Sequence, residues 1–402
     1  MKKTKWIAAA AIMAMLAAFA GCSGTVGNDD VVQNENNTQN ESNNDNVNPA
    51  DSNDNGENSG DVPEEDVVSI IPALSAMKID GVDLEKTGEI QVMDREVTIN
   101  GATNTNNDEG VFIEYRIVKL SPFIMGKYEV TQELYTTVMA NQKVIINGVE
   151  KTLNAKPFVC IEEGTYPLVS GETQKLRAAE GMSWFDAVYF CNALTEKTMS
   201  ASDKAYDITV TNVNANGNIT SATVSLVEGA KGYRLPTEAE WEFAARGGDQ
   251  SKADWNYTFS GADSAKDGKY FADANYGLDA VGWYIYNIQN GGKTNASKSA
   301  IAGKTGFGTH EVGLKAANRL GLYDMSGNVR ELCYDCYGNM FSGGVTTGTE
   351  INPKGEENAS FCVIRGGCWD ETAFYSTVCV WERNFKGEYY RNIGFRVVRS
   401  AE

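Results

Sequence analysis

Residues 233–242 read Tyr233-Arg234-Leu235-Pro236-Thr237-Glu238-Ala239-Glu240-Trp241-Glu242, and they spell out how a helix begins. Pro236 stands just outside it, where a missing N–H costs no internal bond. Thr237 caps the first turn, and Glu240 three residues later completes a capping box. Gly247 closes the helix. Thr131 is a second cap, for a helix running towards Ala140 with Leu134, Val138 and Met139 on one face. Ser183 is a third, with Asp186 three residues on and an apolar face of Ala187, Phe190, Cys191 and Leu194, the i, i+3, i+4, i+7 spacing of a core-facing helix. Elsewhere the chain reads as short strands and Gly/Asn-rich loops. Residues 67–111 hold strand-like runs, Glu89–Val92 and Glu96–Ile99, then the turn Asn100-Gly101. They form either a short lead-in β segment or the first strands of the main domain. Residues 141–180 and 199–231 read as insertions, with hairpin turns at Asn147-Gly148 and Asn216-Gly217. Few helices among many short strands, without a βαβ alternation, make an α+β fold.

The 402 residues are 42% hydrophobic, enough for a sizeable core, and carry 35 Lys+Arg against 54 Asp+Glu, a net charge of -19. Such a surface repels phosphate backbones, so no nucleic-acid partner is expected. A single His, His310, excludes any site built on several imidazoles. Residues 1–22 have a basic start, an apolar run from Trp6 to Ala20 and then Gly21-Cys22, the pattern of an export signal. The Ala20-Gly21-Cys22 ending resembles a bacterial lipobox. It implies lipidation of Cys22, a membrane anchor and a place in the cell envelope, facing periplasm or exterior. Residues 23–66, rich in Asn, Asp, Glu and Ser with no Lys, Arg or aromatic residue, lack the apolar surface to fold and read as a disordered tether.

Five segments, in this order, resemble the formylglycine-generating enzyme (sulfatase-modifying factor) family. They are Phe123–Thr131, Met182–Ala187, Tyr233–Glu242, Gly321–Val329, and Arg365-Gly366-Gly367 followed by Asn392-Ile393-Gly394-Phe395-Arg396. The resemblance covers residues 112–400 and implies a C-type-lectin-like fold with little regular secondary structure. The family holds copper oxidases that convert a sulfatase cysteine to formylglycine, iron-dependent sulfoxide synthases and many lipoproteins. The oxidases need two cysteines five residues apart after Arg-Gly-Gly, because paired thiolates hold copper(I) as soft ligands. Here Glu371 and Ser376 occupy the matching positions, and hard oxygen atoms do not suit copper(I). The available cysteines, Cys368 and Cys379, are too far apart in sequence to supply both. The sulfoxide-synthase chemistry fails on the single histidine. The expectation is therefore a binding module rather than an oxidase. An oxidase using Cys368 or Cys379, and an envelope structural or assembly lipoprotein, are the alternatives.

The resemblance also implies a structural calcium site, with the side chains of Asp324 and Glu331 and the carbonyls of Gly327 and Val329 as ligands. Arg330 and Leu332 stand where Trp is common. It further implies a bridge from Cys333 to Cys379 or Cys368, while Cys333-x-x-Cys336 on its own reads as incidental, with no thioredoxin-like surroundings. The groove that holds the oxidases' peptide maps to residues 367–392. That stretch concentrates Trp369, Asp370, Glu371, Phe374, Tyr375, Trp381, Glu382, Arg383, Phe385, Tyr389, Tyr390 and Arg391. Aromatic anchors beside polar groups suit a peptide, glycan or protein ligand. Trp369, Tyr375 and Tyr389 are the foremost candidates. Trp369 and Tyr389 are expected to be exposed, so that their removal abolishes binding and leaves melting nearly unchanged. His310 reads as a turn residue near the calcium loop.

Overall fold

The computed structural model describes residues 74–102, 110–161, 165–263, 275–287, 305–337, 348–356 and 359–401. The expected export signal with Cys22 and the tether of residues 23–66 lie outside the described residues. The chain runs through β1 (Lys78–Ile79), β2 (Val82–Asp83), β3 (Glu89–Gln91), β4 (Val97–Asn100), β5 (Arg116–Leu120) and β6 (Phe123–Gly126). Next come α1 (Gln132–Met139), the hairpin β7 (Lys143–Ile146) and β8 (Val149–Thr152), and α2 (Trp184–Thr198). The hairpin β9 (Tyr206–Val213) and β10 (Ile219–Leu226), α3 (Glu238–Ala245) and α4 (Tyr276–Val281) follow. The last part holds β11 (Arg330–Tyr337), β12 (Gly348–Ile351), β13 (Phe361–Arg365), β14 (Trp381–Phe385), β15 (Ile393–Gly394) and β16 (Val398–Ser400). Among the described residues no helix is long and apolar enough to cross a membrane.

The three helices begin where the caps place them. Thr131 accepts from the Leu134 N–H, and Ser183–Asp186 and Thr237–Glu240 form complete capping boxes. Gly247 closes α3 at a φ of +80°. The face of α2 drawn from its spacing, Ala187, Phe190, Cys191 and Leu194, is fully buried. Asn147 and Gly148 turn β7 into β8 with positive φ at both positions, the geometry that matches strand twist in a two-residue hairpin. Helix α4, capped by Asn275, has six residues, too few for periodicity to reveal.

The main sheet has the order β14-β13-β11-β15, antiparallel except between β11 and β15. Strand β3 pairs with β6 and β4 with β5. Side chains alternate across the main sheet and divide two cores. Leu332, Cys336, Cys362 and Ile364 join α1 and α2 in one core, with Leu134, Phe190 and Phe395. Cys333, Tyr337 and Val363 join α3 in the other, with Trp241, Phe243 and Met125.

The recurring motifs meet between these cores as buried polar contacts. Arg234 holds both oxygens of Glu240 at 2.6 Å. Arg365 pairs with Glu242 and lies over the Trp241 ring. The Trp241 indole N–H donates to Glu331 at 2.9 Å, and Arg396 holds both Glu331 oxygens at 2.7 Å. The helix opening at residue 237 is thereby wired to the Arg-Gly-Gly strand and to the C-terminal Arg396.

Candidate functional site

Strand β11 begins with Arg330, which points into the space between β14 and the loop after β13. Its Nε donates to Glu382 at 2.6 Å, a second nitrogen pairs with Glu371, and a third donates to the Cys368 sulfur at 3.3 Å. The guanidinium also lies 5.9 Å from the Tyr375 ring centre. The loop is shaped by Gly367, whose φ is +67° and where a Cβ would stand 2.5 Å from Ser376 Oγ. Only glycine allows that approach. Cys368 donates to Asp370 at 3.1 Å, and Asn392 donates to the same carboxylate at 2.9 Å. Arg391 approaches Asp370 from outside at 3.4 Å. The site is therefore a charged network of two arginines and three carboxylates around one thiol. Burial pushes the Cys368 thiol well above its ordinary range, and Arg330 offsets only part of that. A buried protonated thiol is a poor nucleophile.

Glu371 is occupied by Arg330, and Ser376 is fully buried with its hydroxyl unpartnered. Cys379 lies elsewhere, 3.6 Å from Thr377 Oγ1 and under the influence of Glu242 and Arg365. Cys368 and Cys379 thus sit in different surroundings, and the residues at the dyad positions do not fit copper(I). None of the seven described cysteines is bridged. Cys333 faces the α3 core and Cys368 the Arg330 network, so the implied bridge between them is not formed.

The groove candidates separate into three groups. Trp369, expected as an exposed anchor, is a core residue at 0% exposure. It meets Phe307 edge-on at 4.7 Å and Tyr166 at 6.2 Å, because the turn after Gly367 points it inward. Asp370 is likewise buried. Trp381 and Arg383 share one face of β14 with Phe385, whereas Glu382 is on the opposite face with Arg330. Trp381 packs on Tyr337, and Arg383 lies over Phe361. Tyr375 and Tyr389 are half-buried, the latter accepting from Asn214 on its hydroxyl, and Tyr390 is 51% exposed. Arg330 and Asn392 lie outside the site residues expected from the sequence. An arginine replacing an aromatic residue at the start of a strand was the available signal. A cleft of about 330 Å³ lies beside β14, between Thr220–Val224 of β10 and Ser360, Phe385, Lys386 and Gly387.

Glu180 is buried beside Cys160, which shares a core with Trp369. Its Oε1 accepts from the N–H groups of Val159 and Cys160 at 2.8 and 2.7 Å, while Oε2 has no partner. Burial raises this carboxyl from 4.5 to about 8. The folded state therefore keeps a proton that the unfolded chain releases near its ordinary value. Stability falls as pH rises from 4.5 to 8, by roughly 5 kcal/mol at most from this group. Glu180→Gln keeps an acceptor and removes the titration. Urea denaturation across that range should show a flatter pH profile in the variant, and parallel profiles would remove Glu180 as the cause.

In the implied calcium loop, Asp324 and Asn328 have φ of +57° and +56° around Gly327 at +96°. Asp324 Oδ2 accepts from Gly313, and Oδ1 is buried without a partner. Glu129 accepts from Asn328 and Val329 and stands with Asp324 and Glu331. That neighbourhood holds three buried carboxylates against the one guanidinium of Arg396, a charge excess and a free oxygen that suit a cation. Glu331, however, has both oxygens on Arg396. Among the described residues, no three His, Cys, Asp or Glu side chains gather around a metal position. His310 is buried beside this loop, donating its N–H to Asn328, stacked on Trp283 at 3.8 Å and bonded to Glu172 at 2.7 Å.

The sulfatase-modifying factor enzyme 1-like domain matches residues 84–401. The chain belongs to this family. The match begins at residue 84, ahead of β3 and β4, which pair with β6 and β5. Chaperone protein LppX of Paenibacillus barcinonensis is 33% identical over 291 residues, covering 70% of this chain and 82% of that protein. A formylglycine-generating enzyme of Thermomonospora curvata is 27% identical over 256 residues, 63% of this chain and 72% of the enzyme. Among solved structures, Treponema denticola variable protein 1 superposes with a TM-score of 0.55 at 26% identity, covering 81% of this chain and 98% of that one. The sulfatase-modifying-factor domain is thus the frame on which the Arg330 network is built.

Proposed function

We propose that this family member is a binding module that recognises a polypeptide at the mouth of the Arg330 network, without formylglycine-generating oxidation. The observation that carries the reading is the contact of Arg330 with Glu371, Glu382 and Cys368. A carboxylate held by Arg330, Glu371, and a hydroxyl, Ser376, stand where the chemistry would need two soft sulfurs. Aromatic rings beside charges of both signs, the half-buried Tyr375 and the exposed Tyr390 with Arg391, suit peptide backbone and side chains. The kinship with a protein named as a chaperone favours a polypeptide over a glycan. The export-type start supports anchoring through Cys22 in the cell envelope.

The test is selection of peptides from a random display library on the purified protein. The Tyr375→Ala/Tyr390→Ala double variant should lose at least about tenfold in affinity, a typical cost for aromatic anchors, and melt within about 2 °C of the parent. A selection returning no related peptides, binding only to a glycan array, or an aldehyde formed from a cysteine peptide supplied with copper(I) would each overturn the reading.

We further propose calcium at Asp324, Glu331 and the carbonyls of Gly327 and Val329, supported by the free Asp324 Oδ1 and the surplus of buried carboxylates. Calcium should raise the melting temperature over that in chelator. Asp324→Asn should abolish the difference, and an equal response in parent and variant would sink the assignment.

A further inference from the structure

Strand β11 carries two cysteines, Cys333 and Cys336, and their spacing invites pairing with each other. The sheet forbids it. Cys333 belongs to the α3 core with Val363 and Trp241, and Cys336 to the α1–α2 core. Cys336 instead stands in register with Cys362 on β13. Residues directly opposite on antiparallel strands project to the same side, and these two share one core. The carbonyl of Cys336 accepts from Glu356 N–H at 2.8 Å, on the side away from β13, which is the arrangement of a non-hydrogen-bonded pair. Opposed Cα atoms in antiparallel strands are about 4.5 to 5.5 Å apart, inside the range of about 4.4–6.8 Å that a disulfide spans. The sulfurs are turned aside at present, Cys336 towards the Tyr334 carbonyl at 3.1 Å and Cys362 towards that of Asn384 at 3.4 Å. Rotation about χ1 is the movement that closing requires.

A cation stands beside the pair. Lys386 lines the cleft with Phe385 and Ser360, and its ammonium lies 4.5 Å from the Trp184 ring centre. Its charge works against the burial that raises the Cys336 thiol to about 11. Lys386 also acts on Cys362 through its charge, but burial together with the neighbouring Cys336 outweighs it and holds that thiol higher. The two sulfurs are therefore unequal, with Cys336 the readier thiolate.

We propose that Cys336 and Cys362 are a redox couple that closes into a cross-strand disulfide, with Lys386 promoting attack by Cys336. This does not rest on the binding reading. With glutathione disulfide as oxidant, Cys336 loses its proton and attacks one glutathione sulfur. The glutathione disulfide bond breaks, and the departing thiolate takes up a proton. Cys362 then loses its proton and attacks the Cys336 sulfur, releasing the second glutathione. Two protein thiols are oxidised to one disulfide while one glutathione disulfide is reduced to two thiols. The closed bridge ties the strand that presents Arg330 to the strand that presents Arg365.

The test uses the full chain equilibrated in glutathione buffers of increasing oxidised fraction, then alkylated under denaturing conditions and mapped by mass spectrometry. The expected product is one bridge joining the peptides of residues 336 and 362, two hydrogens lighter than the reduced pair. Cys333 should be alkylated throughout. The oxidised form should melt on the order of 5 °C above the reduced one. Cys333→Ser should keep the bridge. Lys386→Met should slow its formation several-fold near neutral pH and leave the same end product. Full alkylation of both cysteines at the most oxidising ratio, or either one bridged to another cysteine, overturns the proposal. An unchanged rate in the Lys386 variant overturns the lysine's part. The mapping is done on the unaltered chain, so misfolding of a variant cannot imitate either result.

Discussion

Trp369→Ala is expected to lower stability by about 3–5 kcal/mol, the usual cost of emptying a buried tryptophan site. For a domain of this size that is a fall of roughly 6–10 °C in melting temperature. The ring has no exposed surface and touches Phe307 and Tyr166 edge-on. Its indole N–H also reaches the Arg391 carbonyl at 3.4 Å. Losing it leaves a cavity beneath Arg391, in the core that Trp369 shares with Cys160. Peptide binding would weaken as well, but as a consequence of a loosened loop. Trp369→Phe, which keeps most of the apolar contact, should recover most of the stability. The measurement is thermal melting beside the Tyr375/Tyr390 double variant. A Trp369→Ala protein that melts with the parent would return this residue to the surface and reverse the assignment of anchors.

Arg396→Met is the other substitution with a large expected effect, about 3–5 kcal/mol by urea denaturation. Arg396 donates twice to Glu331, and also to the carbonyls of Gly126 and Tyr323 at 3.1 and 2.8 Å. Its removal leaves Glu331 buried and bonded only through Trp241, with Glu129 and Asp324 still close. Burial and mutual repulsion already hold the Glu129 carboxyl well above the usual range, with Arg396 acting against them. The cost arises from the charge left behind, so Arg396→Met/Glu331→Leu should be more stable than Arg396→Met alone. A single variant within about 1 kcal/mol of the parent would show that the network is solvated rather than dry. Calcium, if held by Asp324 and Glu331, should partly rescue the single variant, since a cation would restore the lost positive charge.

Trp369 and Arg330 show where reading the chain stops. The helix starts at Thr131, Ser183 and Thr237 are local events: each hydroxyl finds an N–H three residues away, so the bond is written in consecutive letters. The same is true of the Asn147-Gly148 turn, whose positive φ values need no distant partner. Inward and outward aromatic residues in 367–392 are not local. Whether Trp369 is core depends on Phe307 and Tyr166, brought beside it from distant segments. The alternation along β14 would have separated Trp381 and Arg383 from Glu382, but only once residues 381–385 were known to be a strand. Arg330 was visible as a departure from an aromatic residue, yet its meaning came from Glu371 and Glu382, which reach it only in the folded sheet.

The linear order of residues determined the family, the α+β class, the helix boundaries and the replacement of both dyad positions by oxygen-bearing side chains, because identity and short-range hydrogen bonding suffice for these. Tertiary structure alone decided which aromatic rings are buried, that Arg330 closes a charged network around Cys368, and that Cys336 faces Cys362 rather than Cys333. Those outcomes depend on strand register and on contacts between remote segments, and a shift of one residue in register would send each of these side chains to the opposite face.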